Sequence, residues 1–215
     1  MRANAYRAAV LAIALLVAAG PLAQTLDSEG ARITAALHLR PGARVADVGT
    51  GNGDWAERLG REVGETGHVY ATEVEADKLQ TVDTRVKEAG LKNVTTILGS
   101  QDDTGLPAGC CDAILLRMVY HHFTHPSRMR ASLYAALRPG APLVVIETEP
   151  QKDWRHLEGV PDHGGHGIRH EDLVREMTAD HFEVVERHDD WPGDGERYCV
   201  VFRRVEGPSG SQLRE

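Results

Sequence analysis

Two hydrophobic periods alternate along most of this chain. Short apolar runs at Arg44 to Val48, Gly67 to Glu73, Asn93 to Leu98, Asp112 to Leu116 and Leu143 to Ile146 have the length and composition of strands. The last two are continuous enough for central parallel strands covered on both faces. Between the runs, apolar residues recur at helical spacing: Trp55, Leu59 and Val63; then Leu79, Val82, Val86 and Ala89; then Met129, Leu133 and Leu137 after Pro126. Gly90 and the pair Pro139-Gly140 close the second and third of these helices. An earlier helix with Ile33 and Leu37 inward is expected, capped by Asp27 or Ser28, ending before Pro41-Gly42 and packing over the mouth of the site. Strand and helix in alternation predict a doubly wound α/β sheet.

The last third departs from this pattern. Residues 151–170 are polar and histidine-bearing with no clear period, and are expected to form an insertion loop. A helix from about Glu171 to Thr178 is predicted, with Leu173, Val174 and Met177 inward. Strands at Phe182 to Arg187 and Arg197 to Arg203 follow, and the short segment from Asp189 to Gly195 between them implies an antiparallel pair. One domain over 24–205 results, with a loose tail at 206–215. Residues 1–23 read differently. Arg2 and Arg7, the apolar run Ala8 to Ala19 and Gly20-Pro21-Leu22-Ala23 have the layout of a secretory signal peptide, cleaved after Ala23 or retained as an anchor. That predicts a periplasmic or secreted protein, with membrane contact only through an uncleaved segment.

Composition narrows the partners. With 215 residues, 41% hydrophobic and 26% charged, the chain suffices for one cored domain. A net charge of −8 with scattered Lys and Arg argues against a nucleic-acid partner, which draws on clustered cations. Three cysteines, two of them adjacent at Cys110 and Cys111, make neither a disulfide framework nor a paired metal motif, and a structural role is expected.

The candidate chemistry begins at Val45 to Gly53, where a strand runs into a turn with glycine at 49, 51 and 53 and then into a helix. Missing side chains let a cofactor approach the backbone there. A dinucleotide fingerprint requires glycine at the sixth position, which counted from Gly49 is Asp54, so an NAD-dependent oxidoreductase is the weaker alternative. Glu73 ends the second strand, twenty residues past Gly53, where a carboxylate can accept both hydroxyls of a ribose. Asp102 and Asp103 follow the third strand and can accept an adenine amine. His163, His166 and His170 could bind a metal with Glu147 or Glu149. Eleven histidines cluster by chance, however, and a glycine-rich loop is costly to order, so a flexible lid and no metal site are expected.

Val-Ala-Asp-Val-Gly-Thr-Gly-Asn-Gly, Glu73, the acidic pair, the strand Cys-Asp-Ala-Ile-Leu-Leu, the Leu-Arg-Pro-Gly stop and the final hairpin together resemble class I S-adenosylmethionine-dependent methyltransferases, over about residues 28–204. The resemblance implies a Rossmann-like doubly wound seven-stranded sheet, mostly parallel with an antiparallel C-terminal strand. It implies that Asp47 and the turn of Gly49, Thr50, Gly51 and Gly53 hold the methionine end of S-adenosylmethionine. Glu73 and Val74 then serve the ribose, Asp102 or Asp103 the adenine, and Arg117 also reaches the cofactor. Val-Tyr-His-His-Phe is similar to segments after strand four in small-molecule members. His121 and His122 are thus expected at a small-molecule acceptor, where an imidazole can take a proton, with Tyr120 and Arg117 as orienting or anion-binding groups. Magnesium-binding members place an acid after strand four, whereas this chain has Arg117 and Met118. An exported nucleoside-binding accessory protein without turnover is the non-catalytic alternative.

Overall fold

Alternation of side chains along the strands forces helices onto both faces of the sheet. In the computed structural model, which describes residues 21–152 and 158–206, β1 (Arg44–Val48) sends Val45 to one face and Ala46 and Val48 to the other. β4 (Ala113–Arg117) and β5 (Pro142–Thr148) divide likewise: Leu115, Val144 and Ile146 face one way, Ile114, Leu116, Leu143 and Val145 the other. The first face is covered by Ile33 of α1 (Pro21–Ala36), Ala56, Leu59 and Val63 of α2 (Asp54–Val63), and Val82 and Val86 of α3 (Ala76–Glu88). The second is covered by Met129, Leu133 and Ala136 of α4 (Pro126–Ala136) and by Leu173 and Met177 of α5 (His170–Ala179). Each large apolar side chain buried this way contributes about 1.5–3 kcal/mol.

β2 (His68–Glu73), β3 (Val94–Leu98), β6 (Phe182–His188) and β7 (Arg197–Arg204) complete seven strands in the order β3-β2-β1-β4-β5-β7-β6. β1 to β5 pair in parallel, and β7 runs antiparallel to both β5 and β6, as expected. The order reverses between β1 and β4, which opens a crevice beyond the carboxyl ends of these two strands. The site lies there.

Between β3 and β4 residues 99–112 cross as a loop, as the run through Leu106-Pro107 to Cys111 predicts, because glycine at 99, 105 and 109 and Pro107 disfavour a helix. The loop is tied down instead: the Thr104 backbone N–H donates to the Ser132 hydroxyl at 3.0 Å, and that hydroxyl donates to Asp103 at 2.9 Å. Two expectations for α1 need correction. Asp27 and Ser28 lie inside α1 and not at its start, since the described part of the helix already covers Pro21–Ala36. Nor does α1 merely overlie the mouth. Glu29 is buried and accepts from Arg117 Nε and Nη2, each at 3.1 Å, and from Arg197 Nη1 at 2.9 Å. Arg117 ends β4 and Arg197 begins β7, so one carboxylate pins the helix to two strands at the same edge.

The expected signal segment 1–23 lies outside the described residues except for 21–23, and the tail 206–215 except for Glu206. Among the described residues no helix is long and apolar enough to cross a membrane. Cys110 and Cys111 are buried and free.

Removing the Glu29 carboxylate would leave two partly buried guanidinium groups facing one another. Glu29→Ala should cost about 1–3 kcal/mol in urea unfolding, with Glu29→Gln recovering part of it. An unchanged midpoint in both would mean that this pairing does not hold α1.

Candidate functional site

Beyond Val48 the chain must turn sharply while keeping its backbone polar groups satisfied. Gly49 and Thr50 do so by donating their N–H groups to the Thr72 carbonyl at 2.9 and 3.0 Å. Gly49 has φ of 72°, and a Cβ there would stand 2.3 Å from Val119 Cγ2, so only glycine fits. Gly51, also at positive φ, faces open space. Gly53 is buried against Val82 and precedes α2.

Two carboxylates shape this turn. Asp47 is buried behind it and accepts the Thr50 hydroxyl at 2.6 Å. Burial pushes its pKa up to about 6, against the opposing pull of the Thr50 hydroxyl, the Arg117 charge and the Ala56 N–H. Asp47 and Thr50 therefore set the form of the turn from behind. Glu73, also buried, accepts the Gly51 N–H at 3.2 Å through Oε2 and the Val74 N–H at 2.8 Å through Oε1. It faces a cleft of about 540 Å³, lined also by Gly49, Gly51 and Val74.

The far wall of the cleft is built by two loops. Ser100, Gln101, Asp103 and Thr104 come from the segment after β3; Met118, Val119, His122 and Phe123 come from the segment after β4. The two adjacent acids separate here. Asp103 lines the cleft, whereas Asp102 pairs with Arg128 at 2.8 Å and accepts the Ser100 hydroxyl. Glu158 and Val160 reach the cleft from the insertion. A shallower depression of about 660 Å³ runs along α2 and α3, among solvent-facing side chains such as Gln80, Thr84 and Glu88, away from the strand ends.

Arg117 to His122 does not act as a unit. Met118, with φ of 55°, is a non-glycine residue in the left-handed region, and its N–H donates to the Ile146 carbonyl at 2.8 Å. A single 3₁₀ turn, Tyr120–His122, follows. Tyr120 is buried, donates its hydroxyl to Glu176 at 2.7 Å and accepts from Arg130 at 2.8 Å, which ties α4 to α5. Arg117 is held by Glu29. Neither lines the cleft, so the orienting roles expected of both go instead to packing the fold. His122 does line it, half-buried, with its pKa lowered to about 4 by burial and by the neighbouring His121 and His166.

His121 is buried deeper. Its Nδ1 lies 2.6 Å from Glu147 Oε2, its backbone N–H donates to Glu147 Oε1 at 3.3 Å, and its Nε2 lies 3.1 Å from His166 Nε2. His166 belongs to the histidine-rich insertion, part of which is bonded to the end of β5 rather than standing off as a lid. His166 and Gln151 exchange backbone hydrogen bonds at 2.9 and 3.2 Å, and the Ile168 N–H donates to the Thr148 carbonyl at 3.0 Å. Gly167 permits this approach, since a Cβ there would fall 2.6 Å from the Thr148 carbonyl oxygen. The other weighed donors go elsewhere: the His170 N–H donates to Glu149, and the His170 ring stacks on Tyr198. Glu147 and His166 were readable as chemical groups, but not as neighbours of His121.

Residues 45–140 match the methyltransferase domain family. The chain is 28% identical over 124 residues to the ubiquinone/menaquinone biosynthesis C-methyltransferase UbiE of Ralstonia pickettii, covering 58% of this chain and 50% of that protein. It is 29% identical over 124 residues to the UbiE of Vibrio vulnificus, covering 57% and 45%. The chain thus spans about half the length of the curated relatives it matches. In fold it is similar to a SAM dependent methyltransferase from Aquifex aeolicus, with a TM-score of 0.69 and 23% identity over 82% of this chain and 90% of that one. It is also similar to the [4+2]-cyclase SpnF, with a TM-score of 0.70 and 17% identity over 86% and 84%.

The raised pKa of Asp47 has a thermodynamic sign. A folded-state value near 6, above the usual 3.8, means that the stability contributed by the protonated carboxyl is complete below about pH 4 and is lost as pH rises through 6. Urea unfolding at pH 4.5 and 7.5 should show wild type losing about 2 kcal/mol relative to Asp47→Asn. A pH-independent difference between the two would contradict the raised value.

Proposed function

We propose that this chain is a class I S-adenosylmethionine-dependent methyltransferase, which transfers a methyl group from S-adenosylmethionine to a small-molecule acceptor bound beside Met118 to His122. The observation that carries this reading is Glu73. Its carboxylate is buried at the end of β2, steadied by two backbone N–H groups, and presented to the cleft beside the glycine turn.

The residues present suit such a cofactor. A charged carboxylate with acceptor capacity beyond its two backbone bonds fits a ribose diol. Gly49 and Gly51 leave room at the backbone for the methionine end, and Asp103, which lines the cleft with Ser100 and Gln101, is our candidate for the adenine amine. A volume of about 540 Å³ lies within the usual range for a small-molecule site. Bound, S-adenosylmethionine supplies an electrophilic methyl group on a sulfonium. What remains for the protein is to hold an acceptor in line and exclude water. Met118, Val119 and Phe123 provide apolar surface for that, and His122 presents an unprotonated imidazole able to accept a hydrogen bond. UbiE relatives, by name C-methyltransferases of quinone biosynthesis, support a small-molecule acceptor. Residues 1–23 we read as an export signal.

Calorimetry on the purified chain should show S-adenosylmethionine binding and no comparable NAD binding, and labelled methyl should pass to a component of a small-molecule extract. Tight NAD binding alone would overturn the reading, while cofactor binding without transferred label would favour the accessory protein. Glu73→Gln should weaken binding about 10-fold or more, the loss of one charge-assisted interaction. Asp103→Ala should weaken it more than Asp102→Ala, and the reverse order would move the adenine contact. Sequencing the N-terminus of the exported protein should place it at Gln24; recovery of Met1 in the cell interior would remove the export assignment.

A further inference from the structure

Three imidazoles and a carboxylate from three separate segments converge beside the cleft, which His122 lines. His121 and His122 come from the 3₁₀ turn after β4, Glu147 from β5 and His166 from the insertion. Ligating atoms of the three histidines lie within 4.8 Å of one another. His121 Nε2 and His166 Nε2 are 3.1 Å apart, and the three ring centroids are separated by 4.1, 4.3 and 5.2 Å.

Nitrogens bound tetrahedrally at 2.0–2.1 Å stand about 3.3 Å apart, so the observed pair is within a few tenths of an ångström of that spacing. Glu147 supplies the outer partner. A carboxylate at His121 Nδ1 fixes the proton there and leaves the Nε2 lone pair pointing at the other histidines, which is the usual backing of a metal-bound imidazole. His166 is held in place by its paired backbone bonds to Gln151, with glycine on either side allowing the approach to β5. We propose that His121, His122 and His166 bind a divalent transition-metal ion of the zinc type, with Glu147 as the positioning residue for His121.

Three imidazoles without a thiolate suit zinc, cobalt or nickel better than magnesium, which prefers oxygen. Arg117 and Met118, where an acid would be needed for magnesium, are therefore no obstacle. Three protein ligands leave a fourth position open, as in catalytic rather than structural zinc sites. His122 lines the cleft, so a metal-bound water or an ionisable oxygen or nitrogen of the acceptor would lie in that cleft. That last step rests on the methyl-transfer reading, whereas binding of the ion does not.

The test uses the full 215-residue chain without a histidine tag, stripped with a chelator and titrated with cobalt(II), then with zinc(II) in competition. One ion per chain is expected, with visible cobalt bands of low-symmetry coordination that zinc abolishes. His166→Ala and His122→Ala should each weaken binding at least about 100-fold, as befits lost ligands, and Glu147→Gln about 10–100-fold. His163→Ala should leave affinity unchanged. Circular dichroism of each variant checks that the fold persists. Absence of saturable binding, or one-to-one binding that His166→Ala and His122→Ala both leave intact, would overturn the proposal. Because the readout is metal affinity, it is decided whether or not S-adenosylmethionine binds.

Discussion

A parallel sheet covered by helices on both faces has no room for chemistry along its strands; polar side chains can meet at the strand ends, where the apolar layers stop. The molecule depends on how those ends are satisfied. Asp47 ends its work inside, holding the Thr50 hydroxyl and shaping the glycine turn. Glu73 bonds to the backbone of the next loop and still faces the cleft. Glu147 takes His121, and Glu29 gathers the two arginines that end β4 and begin β7. Each buried carboxylate is matched by donors, without which its desolvation would be prohibitive.

The same constraint divides labour within a single short segment. Arg117 and Tyr120 are the kinds of side chain expected to bind or orient an acceptor, yet both are engaged in tying helices to the sheet. His121 and His122 lie one residue apart but differ in depth: one is buried against a carboxylate, the other opens on the cleft. The 3₁₀ turn, entered through the positive φ of Met118, produces that difference by rotating successive side chains to separate environments.

The fold likenesses fit this division. A methyltransferase and a [4+2]-cyclase share the architecture with this chain, so the sheet does not by itself select a reaction. The loops after β3 and β4 line the side of the cleft away from the turn, together with Glu158 and Val160 of the insertion.

Much of the scaffold was legible from residue pattern alone, because hydrophobic periodicity and glycine or proline stops are local properties of the chain. The five parallel strands, the closing hairpin, the glycine turn and Glu73 at a strand end all follow from spacing of that kind. What pattern could not settle were pairings across long separations. Asp102 and Asp103 are chemically alike, and only the position of Arg128 takes one of them away from the cleft. Glu29 meets partners 88 and 168 residues away. His166 looked like part of a loose polar loop until Gly167 allowed that loop to lie against β5 and bring the ring to His121. Local chemistry determined which groups the chain carries and on which elements; tertiary packing decided which of them meet, because contact between distant residues depends on the closure of the whole fold.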